Sequence, residues 1–195
     1  MTTTQQRLPS RPFTVDEALS FGISRRTLYR LVDRGVLDQL GPGVFQRGDV
    51  DHDDANLIDA VTRAPQATIC LASALVHHDL VDLIPAKIDL AVPRGHHLPH
   101  GTPLISWHRF DAATFTLGRT TIEVKGARHP VGLYEPARAI CDVFRLRGLE
   151  GYETGIEALR TWLGRRGSNP AELMSIAAQL PRAAGPVRTA LEHLA

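Results

Sequence analysis

One segment, from Thr14 to Arg47, constrains the fold most, because helix, turn and hairpin signals follow one another in it without long gaps. Thr14 and Glu17 have the spacing of a capping box, which predicts the start of a helix, and Gly22 predicts the end of that helix. Ser24 is then placed to cap a second helix. The segment therefore predicts two short helices joined by a tight turn.

The second helix is predicted over residues 25–34, and a hairpin of two strands, 36–40 and 43–47, is predicted to follow it. The Gly-Pro-Gly sequence between the strands favours a turn. A helix-turn-helix followed by such a hairpin, called the wing, is typical of winged helix-turn-helix domains, which place the second helix in the DNA major groove. We therefore predict a winged helix-turn-helix DNA-binding domain over residues 1–50.

The second predicted helix carries its arginines on the side opposite its apolar stripe. At about 100° per residue, Leu28 faces inward, whereas Arg26 and Arg30 lie opposite it, one turn apart. Guanidinium groups bind phosphates and guanine edges, and the free N–H groups of a helix N-terminus favour phosphate. The residues predicted to contact DNA are Ser24, Arg25, Arg26, Thr27, Tyr29 and Arg30 on the helix, with Gln46 and Arg47 on the wing. A protein-binding module with solvated arginines is the alternative for this segment.

The overall charge excludes a generally basic protein that coats nucleic acid. The 195 residues include 22 basic and 21 acidic side chains, which give a formal net charge of +1. Residues 1–50 carry seven arginines and five acids, a local excess of two positive charges. Any contact with DNA must therefore come from a local patch rather than from the total charge.

The sequence contains no sign of secretion, of a disulfide framework or of a bound cofactor. Residues 1–12 are polar and interrupted by proline, so we expect them to be weakly ordered. No stretch is long and apolar enough to cross a membrane, and we expect a cytoplasmic protein without a membrane partner. Cys70 and Cys141 lie far apart in apolar surroundings, which predicts buried free thiols. Six histidines crowd the middle of the chain without the spacing of a zinc site, so no metal is expected.

Residues 51–195 are predicted to form a mixed α+β domain with a small sheet and C-terminal helices, which places the whole chain in the α+β class. Its strands are predicted over residues 69–71, 87–92, 104–109, 119–125 and 129–134. Its helices are predicted over residues 51–64, 73–80, 135–147 and 152–165, with one that opens at Pro170 and a last one after Gly185-Pro186.

Four motifs together resemble the AbiEi-type antitoxin family of type IV toxin–antitoxin systems. They are GISRRTLYRLVDRGVLDQLGPGVFQRGD near the N-terminus, SALVHHDL and IPAKIDLAVPRG in the middle, and the helix YEPARAICDVFR. The resemblance covers nearly the full chain and implies a winged helix-turn-helix followed by a C-terminal α+β antitoxin domain.

The same resemblance implies a function and two partners. The winged helix would bind double-stranded operator DNA and repress the protein's own promoter. The C-terminal domain would neutralise a cognate nucleotidyltransferase-like toxin, and in type IV systems this need not involve stable contact between the two proteins. No catalytic residues and no cofactor are expected, because the sequence contains no Gly-rich phosphate-binding motif and no Ser or Cys nucleophile elbow.

The residues leave other functions open. Asp89, with Glu123 and Lys125 on a predicted strand, has the pattern of a metal-dependent nuclease, in which two carboxylates hold a divalent ion and a lysine helps to activate water. The polar outer face of a half-exposed strand explains the same pattern. A transcriptional regulator unrelated to a toxin is a further alternative. A separate hypothesis concerns a second basic face on the C-terminal helices, which would widen the DNA footprint or contact the toxin. Its residues are Arg160, Arg165, Arg166, Arg182 and Arg188.

Overall fold

The computed structural model describes residues 8, 9, 11–48, 54–146, 148 and 151–194. The chain divides into two compact units. Unit 1 consists of Met1–Ala67, His97–Ile105 and Ile122–Val131, and unit 2 consists of Thr68–His96, Ser106–Thr121 and Gly132–Ala195. Unit 1 therefore combines three separate stretches of the sequence. The predicted domain boundary at residue 50 lies outside the described residues and stays a prediction.

Unit 1 contains the helices and strands predicted for a winged helix-turn-helix. Its elements are β1 (Phe13–Thr14), α1 (Val15–Ser20), α2 (Arg25–Asp33), β2 (Leu37–Gly41), β3 (Val44–Arg47) and α3 (Ala55–Arg63). The three strands form an antiparallel sheet in the order β1-β3-β2. The predicted order of helix, turn, helix and hairpin is therefore confirmed, with a short third strand at its start.

Local hydrogen bonds explain where the two short helices begin. The Thr14 hydroxyl accepts a hydrogen bond from the Glu17 amide at 3.3 Å, and the Glu17 carboxylate accepts one from the Thr14 amide at 3.0 Å. This is the predicted capping box. The Ser24 hydroxyl accepts from the Thr27 amide at 3.2 Å and so caps α2. Both caps confirm what the sequence predicts.

The apolar core of unit 1 includes one residue from the stretch that we expected to be weakly ordered. Leu8 is only 3% exposed and belongs to the cluster that contains Phe13, Leu28 and Phe45. Strand β1, which follows Leu8 in the chain, pairs with β3. The expectation is therefore wrong for Leu8, while residues 1–7 and 10 lie outside the described residues.

Unit 2 is a five-stranded sheet packed with helices. In chain order its elements are β4 (Thr68–Ile69), α4 (Leu71–His77), β5 (Ile88–Pro93), β6 (Ile105–Phe110), β7 (Arg119–Ile122), β8 (Val131–Tyr134), α5 (Pro136–Arg145), α6 (Tyr152–Leu163), α7 (Pro170–Gln179) and α8 (Ala184–Leu194). The strand order is β6-β5-β4-β8-β7, with β4 antiparallel to β5 and parallel to β8. The predicted α+β class is confirmed. In the described part of the chain, no helix combines the length and apolar character needed to cross a membrane.

Several element boundaries in unit 2 differ from the prediction, and three of these differences follow. Leu71 was predicted to end a strand but begins α4. Helix α8 begins at Ala184, before Gly185-Pro186. Proline is tolerated in the first turn of a helix, because backbone N–H groups at these positions have no acceptor within the helix. Strand β7 ends at Ile122 because the chain turns directly afterwards, with the Ala127 amide donating to the Val124 carbonyl at 3.0 Å.

Helix α5 is the centre of the helical part of unit 2, since it contacts α4, α6, α7 and α8. It carries an ion pair between Arg138 and Asp142, whose side chains are both 0% exposed, with Nε 2.9 Å from Oδ2. Arg145 donates to the other oxygen of Asp142 at 2.6 Å. The Arg138 guanidinium also lies over the Tyr134 ring, 4.3 Å from its centroid. This network is a structural element of the core.

Candidate nucleic-acid interface

Helix α2 has an inward apolar face and an outward basic face. Leu28 is fully buried, and Leu31 and Val32 pack against the same core. The arginine side chains of α2 are exposed: Arg25, Arg26 and Arg30. The helix is thus oriented as the spacing of its residues predicts, with its arginines available to a partner.

The first turn of α2 is held by two hydroxyl groups. Ser24 and Thr27 lie with their side-chain oxygens 3.0 Å apart, and Ser24 accepts the Thr27 amide proton. The Ser24 hydroxyl therefore caps the helix, and the Thr27 hydroxyl forms a hydrogen bond with it. Their position next to Arg25 places the cap at the end of α2 where free N–H groups attract a phosphate.

The wing, formed by β2, β3 and the turn between them, faces α2 across an open cleft of about 580 Å³. The cleft is lined by Arg25 and Tyr29 from the helix and by Gln39, Gly41, Pro42 and Gly43 from the wing. Tyr29 is 41% exposed, so its ring contacts the wing while part of it stays open to solvent. The cleft thus combines a cation, an aromatic ring and exposed turn atoms.

The two residues predicted to act from the wing differ in accessibility. Arg47 is partly exposed at the end of β3, whereas Gln46 is 1% exposed. Strand β3 is the middle strand of its sheet, and Val44, Phe45 and Gln46 are all buried, so both faces of the strand are covered. The structure therefore places Gln46 inside unit 1, whereas the prediction placed it on the accessible surface of the wing.

Helix α3 supports the wing through a buried ion pair that we did not predict. Asp59 is 4% exposed and pairs with Arg63. Burial raises the pKa of Asp59, against the lowering effect of the hydrogen bond and charge of Arg63. A Cβ atom added to Gly41 would overlap both side chains, so the backbone of the wing lies directly against this pair. The i, i+4 spacing of the two residues is a signal for the pair, but nothing local indicates its contact with Gly41.

The loop 97–105 lies at the tip of the wing, and it was not predicted to do so. Arg63 donates from Nη1 to the carbonyl oxygen of His100 at 2.6 Å. An added Cβ atom at Gly101 would lie 2.9 Å from Cγ of Pro42, which is closer than a normal contact. These contacts connect residues about 40 to 60 positions apart, so no short-range pattern reveals them.

The first helix of the motif, α1, is anchored through Glu17. Its carboxylate accepts hydrogen bonds from Arg11 at 2.8 Å and from Arg128 at 2.7 Å, in addition to the bond from the Thr14 amide. Burial alone raises the pKa of Glu17, but the hydrogen bonds and the two arginine charges outweigh it and lower the pKa below its usual value. Glu17 is therefore stabilised in its charged form.

The nuclease pattern considered from the sequence is arranged differently in the structure. Asp89 is 7% exposed, accepts from His108 Nε2 at 2.8 Å and contacts the Ser73 hydroxyl at 3.3 Å. Glu123 and Lys125 follow the end of β7 and are exposed, so the predicted strand over 119–125 is wrong at these two positions. Asp89 belongs to unit 2, whereas Glu123 and Lys125 belong to unit 1. Among the described residues, no group of three or more His, Cys, Asp or Glu side chains is arranged to hold a metal ion.

The cysteines and the C-terminal arginines have simple surroundings. Cys70 and Cys141 are buried thiols, as predicted. The five arginines of the proposed second basic face are all exposed: Arg160, Arg165, Arg166, Arg182 and Arg188. Arg165 donates to the carbonyl oxygen of Asp79 at 2.5 Å.

Comparisons with known proteins agree with this arrangement. Residues 9–48, which include β1, α1, α2 and the wing, match the family described as "Transcriptional regulator, AbiEi antitoxin". The fold is similar to the crystal structure of the RV2827C protein from Mycobacterium tuberculosis, with a TM-score of 0.54 and 15% identity over 98% of this chain and 77% of that chain. No curated protein matches the chain. Over residues 9–48, the chain is therefore similar to the AbiEi antitoxin family of transcriptional regulators.

Proposed function

We propose that the protein binds double-stranded operator DNA and represses its own promoter, and that it counteracts a nucleotidyltransferase-like toxin. The observation that carries the proposal is the exposed arginine face of α2 within the segment matched to the AbiEi family. A transcriptional regulator needs a rigid element that presents base-reading side chains, and α2 has a buried face that fixes it and a basic face that is free.

In the proposed complex, α2 lies in the major groove. Arg26 and Arg30 project from the side opposite Leu28, where bidentate contacts with guanine or with phosphates are possible. Arg25 and Tyr29 extend the contact into the cleft between α2 and the wing. Ser24 and Thr27 hold the helix N-terminus toward a phosphate, and Arg47 contacts the backbone from the wing. Gln46 keeps a structural role, since it is buried.

The antitoxin part of the proposal assigns toxin neutralisation to the C-terminal α+β region. The description of the matched family includes the term antitoxin. The buried ion pair between Arg138 and Asp142 lies in a core that belongs to this region alone. Repression and neutralisation are therefore expected to be separable by mutation. A variant with an altered α2 surface should still protect cells from the toxin encoded beside the gene.

The proposal is tested with the double variant Arg26→Ala, Arg30→Ala. We expect it to bind the promoter DNA of its own gene about 100-fold more weakly than the wild-type protein at moderate salt. The slope of the logarithm of the DNA-binding constant against the logarithm of the salt concentration should fall in magnitude by about two, because two cationic groups no longer contact the DNA. Fluorescence anisotropy with labelled promoter DNA measures both quantities, and thermal unfolding checks that the fold is intact.

The matched control is Arg94→Ala, Arg109→Ala, which removes two exposed arginines of unit 2 that lie outside the proposed second basic face. Unchanged binding by the control supports α2 as the contact surface. If the α2 variant binds promoter DNA as tightly as the wild-type protein, the assignment of α2 as the DNA-contacting helix is wrong.

A further inference from the structure

We propose that the loop 97–105 forms a second part of the DNA interface, beside the wing, and that His97 and His100 contact the phosphate backbone there. This inference rests on the proposed function, because it assumes that DNA lies on α2 and the wing. It adds a contact surface from outside the segment matched to the family, which ends at residue 48.

The position of the loop is the first argument. The loop belongs to unit 1, together with α2 and the wing. Gly101 lies against Pro42, and Pro42 lines the same cleft as Arg25 and Tyr29. Any DNA that follows the cleft past the tip of the wing therefore comes next to this loop.

The fixation of the loop is the second argument. Arg63 donates to the His100 carbonyl oxygen, and its guanidinium also pairs with Asp59 beneath the wing. One arginine thus connects α3, the wing and the loop. Because Gly101 has φ +71 and no room for a side chain near Pro42, the loop has a defined conformation at this contact. A pre-ordered loop loses little conformational entropy when DNA binds.

The chemistry of the exposed side chains is the third argument. His97 and His100 are both exposed, and their ring centroids lie 5.3 Å apart in an edge-to-face arrangement. An imidazole always carries at least one N–H donor, which a phosphate oxygen accepts. The loop sequence, HLPHGTPLI, contains no acidic residue that would repel a phosphate, and the acid beneath the wing, Asp59, is paired. Each of the two rings can therefore donate an N–H hydrogen bond to a phosphate oxygen.

The test is the full-length double variant His97→Ala, His100→Ala. Both side chains are exposed, and the His100 carbonyl that Arg63 binds is kept, so the fold should not change. We expect about tenfold weaker binding to the promoter DNA, equivalent to about 1.4 kcal/mol. Hydroxyl-radical footprinting should show lost backbone protection at the wing side of the site, with protection by α2 retained.

The matched control is His129→Ala, His193→Ala, which removes two exposed imidazoles that have no contact with the wing among the described interactions. The inference is supported if the loop variant loses affinity for the promoter DNA while the control variant binds it as tightly as the wild-type protein. The inference is overturned if the loop variant binds within about threefold of the wild-type protein, or if the control loses as much affinity. The proposed function itself fails, and this inference with it, if the wild-type protein does not bind the promoter DNA.

Discussion

Tyr29 of α2 packs edge-on against Phe45 of β3, with ring centroids 5.5 Å apart and ring planes at 86°. Phe45 is fully buried and stacks in turn near Phe13 of β1, with centroids 6.3 Å apart. Aromatic pairs with this geometry are stabilising beyond the area they bury. The contact therefore fixes the angle between α2 and the wing, on which the proposed DNA interface depends.

Replacement of Tyr29 separates this packing role from DNA contact. Tyr29→Phe keeps the ring pair, so unfolding free energy should change by less than about 0.5 kcal/mol, while Tyr29→Ala should cost about 1 to 2 kcal/mol. Urea denaturation measures both values. If the hydroxyl contacts DNA, Tyr29→Phe will weaken promoter binding without loss of stability. Equal stability of the Ala and Phe variants would contradict the packing role.

Glu17 makes the stability of the protein depend on pH in the acid range. Its folded pKa is lowered, so its contribution is present above the unfolded pKa of about 4.3 and is lost as the pH falls through the folded pKa. Glu17→Gln should therefore be less stable than the wild-type protein at pH 7 and should lose less stability between about pH 5 and pH 3. Denaturant unfolding at a series of pH values measures this slope.

The control for this experiment is Glu192→Gln, which changes an exposed glutamate near the end of α8. It should have the same pH slope as the wild-type protein. An unchanged slope in Glu17→Gln would mean that the ion pairs with Arg11 and Arg128 do not influence folding.

Asp142 is expected to be among the most sensitive positions in unit 2. Asp142→Ala leaves Arg138, which is 0% exposed, as a buried cation without its carboxylate, and should cost about 3 to 5 kcal/mol of unfolding free energy. The double variant Arg138→Met, Asp142→Leu removes both charges and should recover much of that loss, since apolar residues can replace a buried ion pair. Chemical denaturation compares the two. A double variant less stable than Asp142→Ala would contradict a simple pairing role.

The two thiols should be unreactive in the folded protein. Cys70 and Cys141 are both 0% exposed, and burial raises the pKa of Cys141 to about 12, so its thiolate is scarce at neutral pH. A chromogenic thiol reagent should detect no reaction in native buffer within minutes and two thiols in denaturant. The variant Cys141→Ala isolates the signal of Cys70. Rapid labelling of the native protein would show that one of these sites opens.

Much of the candidate interface follows from signals within a few residues. The caps at Thr14 and Ser24 and the inward position of Leu28 are determined by hydrogen bonds and spacings inside one or two turns of helix. Such interactions do not depend on distant parts of the chain. For this reason the sequence alone determined the helix-turn-helix, its hairpin and the orientation of its arginines.

The tertiary structure decided which side chains are accessible and what supports the wing. Gln46 is buried because its strand lies in the middle of a sheet, and Asp89 faces His108 because β5 and β6 are neighbours. The contacts of Arg63 and Gly101 with the wing region join stretches that are far apart in the chain. Their positions result from packing between distant segments, which residue spacing does not encode. The sequence by itself therefore determined helix α2 and its basic face, whereas only the folded chain showed that α3 and the loop 97–105 lie against the wing.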